Sequence, residues 1–124
     1  MSSPDAEAMT SLTRMHCVSC RGGEPAATAE EQIEYSKQTP GWSIVAVEGV
    51  QRLSRRFAFR NFAEALAFTD RVGALAEAEG HHPQLVTEWG GVGVSWWTHK
   101  IRGLHRNDFI MAARTDELFA APGS

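Results

Sequence analysis

The chain has 124 residues, a mass of 13.6 kDa and a formal net charge of -3, which is the size of one domain around one core. Hydrophobic residues at 43% and charged residues at 22% are ordinary globular composition, and a pI near 5.9 speaks against a basic nucleic-acid footprint. No apolar run approaches the ~20 residues of a membrane span, MSSPDAEAMTSL has neither the basic nor the apolar region of a secretory signal, and Cys17 and Cys20 are too few for a disulfide-built scaffold, so a cytoplasmic globular domain is expected.

Residues 1–24 read as a flexible leader holding a CxxC; small and polar residues dominate residues 1–15, and RGGEPAAT at 21–28 is loop-like. Thr28 followed by Glu31 is a capping-box signature and predicts a helix to about Gln38, stopped by Pro40–Gly41, with a thin apolar face of Ile33 and Tyr35. WSIVAV at 42–47 is β-prone, Glu48–Gly49 is a turn, and Leu53, Phe57 and Phe59 share one parity of the next run, so the two runs predict a hairpin. Asn61 with Glu64 caps a second helix, where Phe62, Leu66, Thr69, Val72 and Ala76 recur at helical spacing up to Gly80. LVTEW at 85–89, a Gly90–Gly91 turn and VGVSWWT at 92–98 predict a second hairpin, with Val92, Val94, Trp96 and Thr98 on one face and His99 at the strand's end. A final helix is expected over about 106–119, with Asp108 in its electropositive first turn and His105 helping to start it. The resulting order, α-β-β-α-β-β-α, predicts an α+β fold: a four-stranded antiparallel sheet with helices on one face, spanning residues 25–120 ahead of a short tail at 121–124. The other sheet face must be polar or covered, and its aromatics suit a partner subunit.

Four of the five histidines, His81, His82, His99 and His105, fall within 25 residues. His81–His82–Pro83 follows the carbonyl end of the long helix, which favours a protonated imidazole. Pro83 biases His82 toward extended backbone, so the two rings point to opposite sides: one can enter a pocket while the other braces it. Imidazole both gives and takes protons near neutral pH, and two or three histidines with a carboxylate suit elimination of water, which needs one proton delivered and another removed. The alternatives are an incidental surface pair or a three-histidine metal site, and the latter lacks the i, i+4 spacing of common zinc sites. Cys17-Val-Ser-Cys20 beside His16 has no second CxxC and no βαβ context, so two reduced surface thiols are expected; metal or redox use is the alternative.

The segment E-A-E-G-H-H-P at 77–83, followed by Trp89, Thr98–His99, Gly103–Leu104 and Asp108, resembles the pterin-4a-carbinolamine dehydratase family. The resemblance extends to the F-x-F-[KR]-[DN]-F stretch from Phe57 to Phe62 and to the P-G-W at 40–42, covering about residues 24–119. The string EWGGVGVSWWTHKIRGLHRNDFIMAARTDEL and the leader HCVSCRGGEP are similar to the bacterial branch associated with phenylalanine hydroxylase. Leu85 stands where some members have Trp, and Trp96–Trp97 where other branches have smaller residues.

The resemblance implies a 4a-hydroxytetrahydrobiopterin dehydratase. Such an enzyme returns the 4a-hydroxy adduct left by aromatic amino acid hydroxylases to the quinonoid dihydropterin, recycling tetrahydrobiopterin in phenylalanine hydroxylation. The pterin is then the substrate, no cofactor or metal is implied, and phenylalanine hydroxylase is the functional partner. By motif position His81, His82 and His99 are the acid–base and substrate-binding histidines, and Asp108 is the carboxylate that orients His99. Glu77, Pro83, Trp97 and Thr98 would contact or line the pterin site. His81 and His99 are assigned the proton transfers and His82 the holding of substrate. A homodimer or homotetramer is implied as well. Relatives that serve as a transcription-factor dimerisation cofactor or as rubisco assembly factors supply the alternative, a non-enzymatic assembly or regulatory protein on the same fold.

Overall fold

The computed structural model describes residues 11–17 and 26–121, so the expectations for residues 1–10, 18–25 and 122–124, Cys20 among them, lie outside the described residues. The first helix, α1, runs Ala29–Ser36. The Thr28 hydroxyl accepts from the Glu31 N–H at 3.1 Å, and the Glu31 carboxylate accepts from the Thr28 N–H at 2.9 Å, which satisfies two otherwise orphaned donors. Ile33 turns outward, 61% exposed, and Tyr35 supplies the inward contact, its ring 5.2 Å from that of Phe109.

Strands β1 (Ser43–Val47) and β2 (Val50–Ala58) form the first hairpin. Its turn holds Glu48 at φ 52° and Gly49 at φ 79°, two successive left-handed residues whose twist matches that of paired strands. Helix α2 (Phe62–Glu79) is capped by the Asn61 side chain, which accepts from the Glu64 N–H at 2.9 Å, and it ends at Gly80, φ 64°. Its buried stripe is Ala65, Phe68, Val72 and Ala76, whereas Phe62 and Leu66 are exposed; the helical period was right and the face was offset at its first turns. Strands β3 (Gln84–Glu88) and β4 (Gly91–Trp96) follow, then α3 (Arg106–Ala120).

The sheet order is β1-β2-β4-β3, all antiparallel, with Leu53 opposite Trp96 and Phe57 opposite Val92. Leu53, Phe57, Val92, Val94 and Trp96 therefore share the face on which α2 and α3 pack. Phe57 and Phe68 meet at 4.9 Å between ring centroids, and Phe119 lies 4.9 Å from Phe57, forming one aromatic cluster across sheet and helices. Among the described residues the opposite face carries no helix, and Val45, Val47 and Val86 are exposed there.

Three expectations need correction. The second turn is Trp89–Gly90, with Gly90 at φ 83°, and Gly91 already belongs to β4, where the exposed Arg56 guanidinium lies over it and would have to swing aside for a Cβ. Strand β4 stops at Trp96, so His99 is not its end: a Thr98–Gly103 bridge closes a loop whose one-turn 3-10 helix is His99–Ile101, with Arg102 at φ 51°. Residues 11–17 are also not a loose leader, because Leu12 is 1% exposed within the core and its N–H donates to the Gln38 side chain at 2.9 Å.

Candidate active site

The sequence that ends α2 also begins the site. Gly80 takes the left-handed conformation that no other residue adopts so cheaply, and the chain reverses there to present His81 inward and His82 outward. His81 is 9% exposed, while the His82 side chain is 60% exposed and paired with Glu77. This is the opposed arrangement expected from extended backbone ahead of Pro83, which is itself half-buried.

The centre of the constellation is Asp108, at the third position of α3 and fully buried. One carboxylate oxygen lies 2.7 Å from His81 Nε2. The other accepts from the Thr98 hydroxyl at 2.8 Å and from the His105 N–H at 2.8 Å. Three donors thus converge on one carboxylate, and its role as acceptor places a hydrogen on His81 Nε2, so that in the neutral ring Nδ1 is the nitrogen left with the lone pair. The His105 ring caps the helix, its Nδ1 accepting from the Asn107 N–H at 3.1 Å, as expected of a helix-starting residue. Trp96 lies parallel to His81, 10° between ring planes and 5.8 Å between centroids, and its indole N–H donates to Thr115 at 3.2 Å.

The structure gathers the expected site residues other than Pro83 into three groups. His81, Asp108 and Thr98 are joined directly; Glu77 and His82 form a surface pair; Trp97 packs at a tilt of 35° against the exposed His99, 4.6 Å between ring centroids, with the Arg52 guanidinium 3.9 Å from the Trp97 ring. Asp108 orients His81 rather than His99, because both its oxygens are occupied by groups from the loop after α2, the end of β4 and the start of α3. Thr98 is 2% exposed and turns its hydroxyl to Asp108, so it supports His81 from behind instead of walling a pocket. Since Thr98 and His81 share Asp108, their neighbours His99 and His82 emerge from two anchored points. Trp96 under His81 and Arg52 on Trp97 were missed as site residues, because ring contacts between distant segments leave no spacing signal.

Cys17 differs from the surface thiol expected: it is half-buried, and its Sγ lies 3.9 Å from the Asn107 carbonyl. Burial pushes the thiol from its ordinary 9.0 up to about 12, with the carboxylates of Glu79 and Asp108 adding to the effect. A thiol raised on folding adds stability that is complete below about pH 9 and is lost as the pH climbs toward 12. Cys17 should therefore alkylate with iodoacetamide at pH 8 far more slowly in the native chain than in the urea-unfolded chain; equal rates would contradict this burial. Among the described residues no group of three or more His, Cys, Asp and Glu is placed to hold a metal ion, and no helix is long and apolar enough to cross a membrane.

The family model described as "Pterin 4 alpha carbinolamine dehydratase" matches residues 25–118. The chain belongs to the pterin-4a-carbinolamine dehydratase family. A relative from Syntrophotalea carbinolica, named "Putative pterin-4-alpha-carbinolamine dehydratase", is 64% identical over 110 residues, covering 89% of this chain and 98% of the relative. A Gloeobacter violaceus protein with the same name, numbered 1, is 58% identical over 113 residues, covering 91% and 97%. Among solved structures, a transcriptional coactivator/pterin dehydratase from Brucella melitensis superposes with a TM-score of 0.68 at 28% identity, over 76% of this chain and 98% of that one. A pterin dehydratase-like protein identified as a RuBisCO assembly factor in the alpha-carboxysome gives 0.55 at 28% identity, over 65% and 92%. The pterin-dehydratase family thus spans the sheet, all three helices and the His81–Asp108 pair.

Proposed function

We propose that this protein dehydrates 4a-hydroxytetrahydrobiopterin to the quinonoid dihydropterin and water, recycling the pterin of an aromatic amino acid hydroxylase, phenylalanine hydroxylase in particular. The pterin is the substrate, and the reaction uses no further cofactor. The observation that carries the reading is the buried His81–Asp108 pair at 2.7 Å, in a chain of this family. With Nε2–H held by Asp108, the His81 Nδ1 lone pair takes the proton from pterin N5, and the buried carboxylate stabilises the imidazolium that forms. The C4a–O bond breaks, a protonated His99 gives its proton to the departing hydroxide to make water, and the N5 electron pair closes the N5=C4a double bond. His82, paired with Glu77, holds the substrate, and Trp97 and Pro83 contact its flat ring. The adduct also collapses unaided, so the ~10²–10⁴-fold typical of one general acid–base group is enough to matter. Self-association as a dimer or tetramer belongs to the same proposal and would use the sheet face left open by the helices.

The test is decay of the 4a-hydroxy adduct generated by phenylalanine hydroxylase, followed with and without the native chain. Faster decay proportional to added chain is expected. No acceleration by folded protein would remove the dehydratase reading. The assembly role suggested by the carboxysomal neighbour would then be the one to pursue, by co-purification with rubisco.

A further inference from the structure

Residues 11–17 lie outside the matched stretch 25–118, yet they are fastened to the turn that carries His81. The attachment point is Glu79, the last residue of α2, whose side chain is 10% exposed. One of its oxygens accepts the Cys17 N–H at 2.9 Å; the other meets His16 Nδ1 at 3.1 Å and Arg114 of α3 at 3.3 Å. Burial pushes the Glu79 carboxyl up, but the Cys17 N–H, His16 and Arg114 outweigh it and hold the group below its ordinary range. At the segment's far end Leu12 is sunk in the core, and at its near end the Cys17 thiol faces the Asn107 carbonyl, one residue from Asp108.

Glu79–Arg114 and His81–Asp108 are thus two ties between the same pieces of chain, the end of α2 and α3. Only Gly80 separates Glu79 from His81, and with no side chain it braces nothing. The His81 ring direction then depends on how firmly the last turn of α2 is held, and Glu79 holds it.

We infer that residues 11–17 form a strap that positions His81 through Glu79, making Glu79 a positioning residue for the reaction. The activity part of this inference rests on the dehydratase reading; the geometric part does not. The test uses the full chain with ¹⁵N-labelled histidine, the His81 ring signals being identified by their loss in His81→Ala. In Glu79→Ala the Nε2–H and Nδ1 signals of His81 should move toward the averaged values of a ring exchanging tautomers. The kcat for adduct decay should fall roughly tenfold with KM within about twofold, since mispositioning a reacting group by ~1 Å can cost up to about 10²-fold. Glu79→Gln, which keeps the shape and an acceptor for the Cys17 N–H, should retain the fold and show smaller shifts in the same direction. Trp42→Phe, which removes the Trp42–Asp116 hydrogen bond away from this turn, controls for simple loss of stability and should leave the His81 signals in place. His81 nitrogen signals unchanged in both Glu79 variants would overturn the inference, whatever happens to melting temperature. If the native chain shows no dehydratase activity, the nitrogen signals still decide whether the strap positions His81.

Discussion

His81→Ala should lower kcat for adduct decay by about 10²–10⁴-fold, the range expected when a single general acid–base group is removed. The ring is the one imidazole that is buried, carboxylate-paired and stacked on a tryptophan, so its Nδ1 is set in one direction and its charged form has a built-in counter-ion. Little of the loss should appear in KM, because His82 and Trp97 remain to hold substrate. The fold should survive: Asp108 keeps its bonds from Thr98 and His105, and the lost donor costs on the order of 1–3 kcal/mol. Steady-state kinetics together with a urea melt separate the two effects. A variant with kcat within twofold of native would assign the proton transfer elsewhere.

Asp108→Ala is expected to be the most damaging single change to stability at the site. It strands the buried Thr98 hydroxyl and His81 Nε2–H, takes the carboxylate from the half-buried His105 N–H, and removes an acidic group from the first turn of α3. At about 1–3 kcal/mol per stranded buried donor, and with partial relaxation, the total is roughly 3–5 kcal/mol. For a domain of this size that corresponds to a fall of about 10–20 °C in Tm. Asp108→Asn keeps the volume but turns an N–H₂ toward a donor, so it should lose less stability than alanine while losing a comparable share of kcat. Calorimetry and the adduct assay on the same samples check both. A native-like Tm for Asp108→Ala would show that the carboxylate does not organise this junction. The double variant His81→Ala/Asp108→Ala should lose less activity than the sum of the two singles, as groups acting as one unit do.

These effects concentrate on residues with different legibility in the sequence. His81 and Asp108 stand in a motif, and both could be named from it. Their partnership could not: 27 positions separate them, and the motif is equally compatible with Asp108 serving His99. The choice is made by the Thr98–Gly103 bridge and the start of α3, which bring the end of β4 and the α3 cap to the same carboxylate. Thr98 illustrates the same point, since parity put it on the core face of the last strand and motif position put it in the pterin site. The tertiary structure shows that the core face was the better guide.

Local chemistry was sufficient for the capping box at Thr28, the Asn61 cap, the Gly80 stop, the alternation of β2 and β4 and the α-β-β-α-β-β-α order, because each depends on backbone groups within four residues or on a period of two or 3.6. Those elements, with one apolar face each on β2, β4, α2 and α3, already require a sheet covered by helices on one side. What lay beyond the sequence was every long-range pairing: the strand order β1-β2-β4-β3, the docking of residues 11–17 on Glu79, the burial that raises the Cys17 thiol, and the assignment of Asp108 to His81. The physical reason is common to all four. A hydrogen bond or a buried charge between distant residues has no sequence period, and its partner is fixed only when packing closes the space around it.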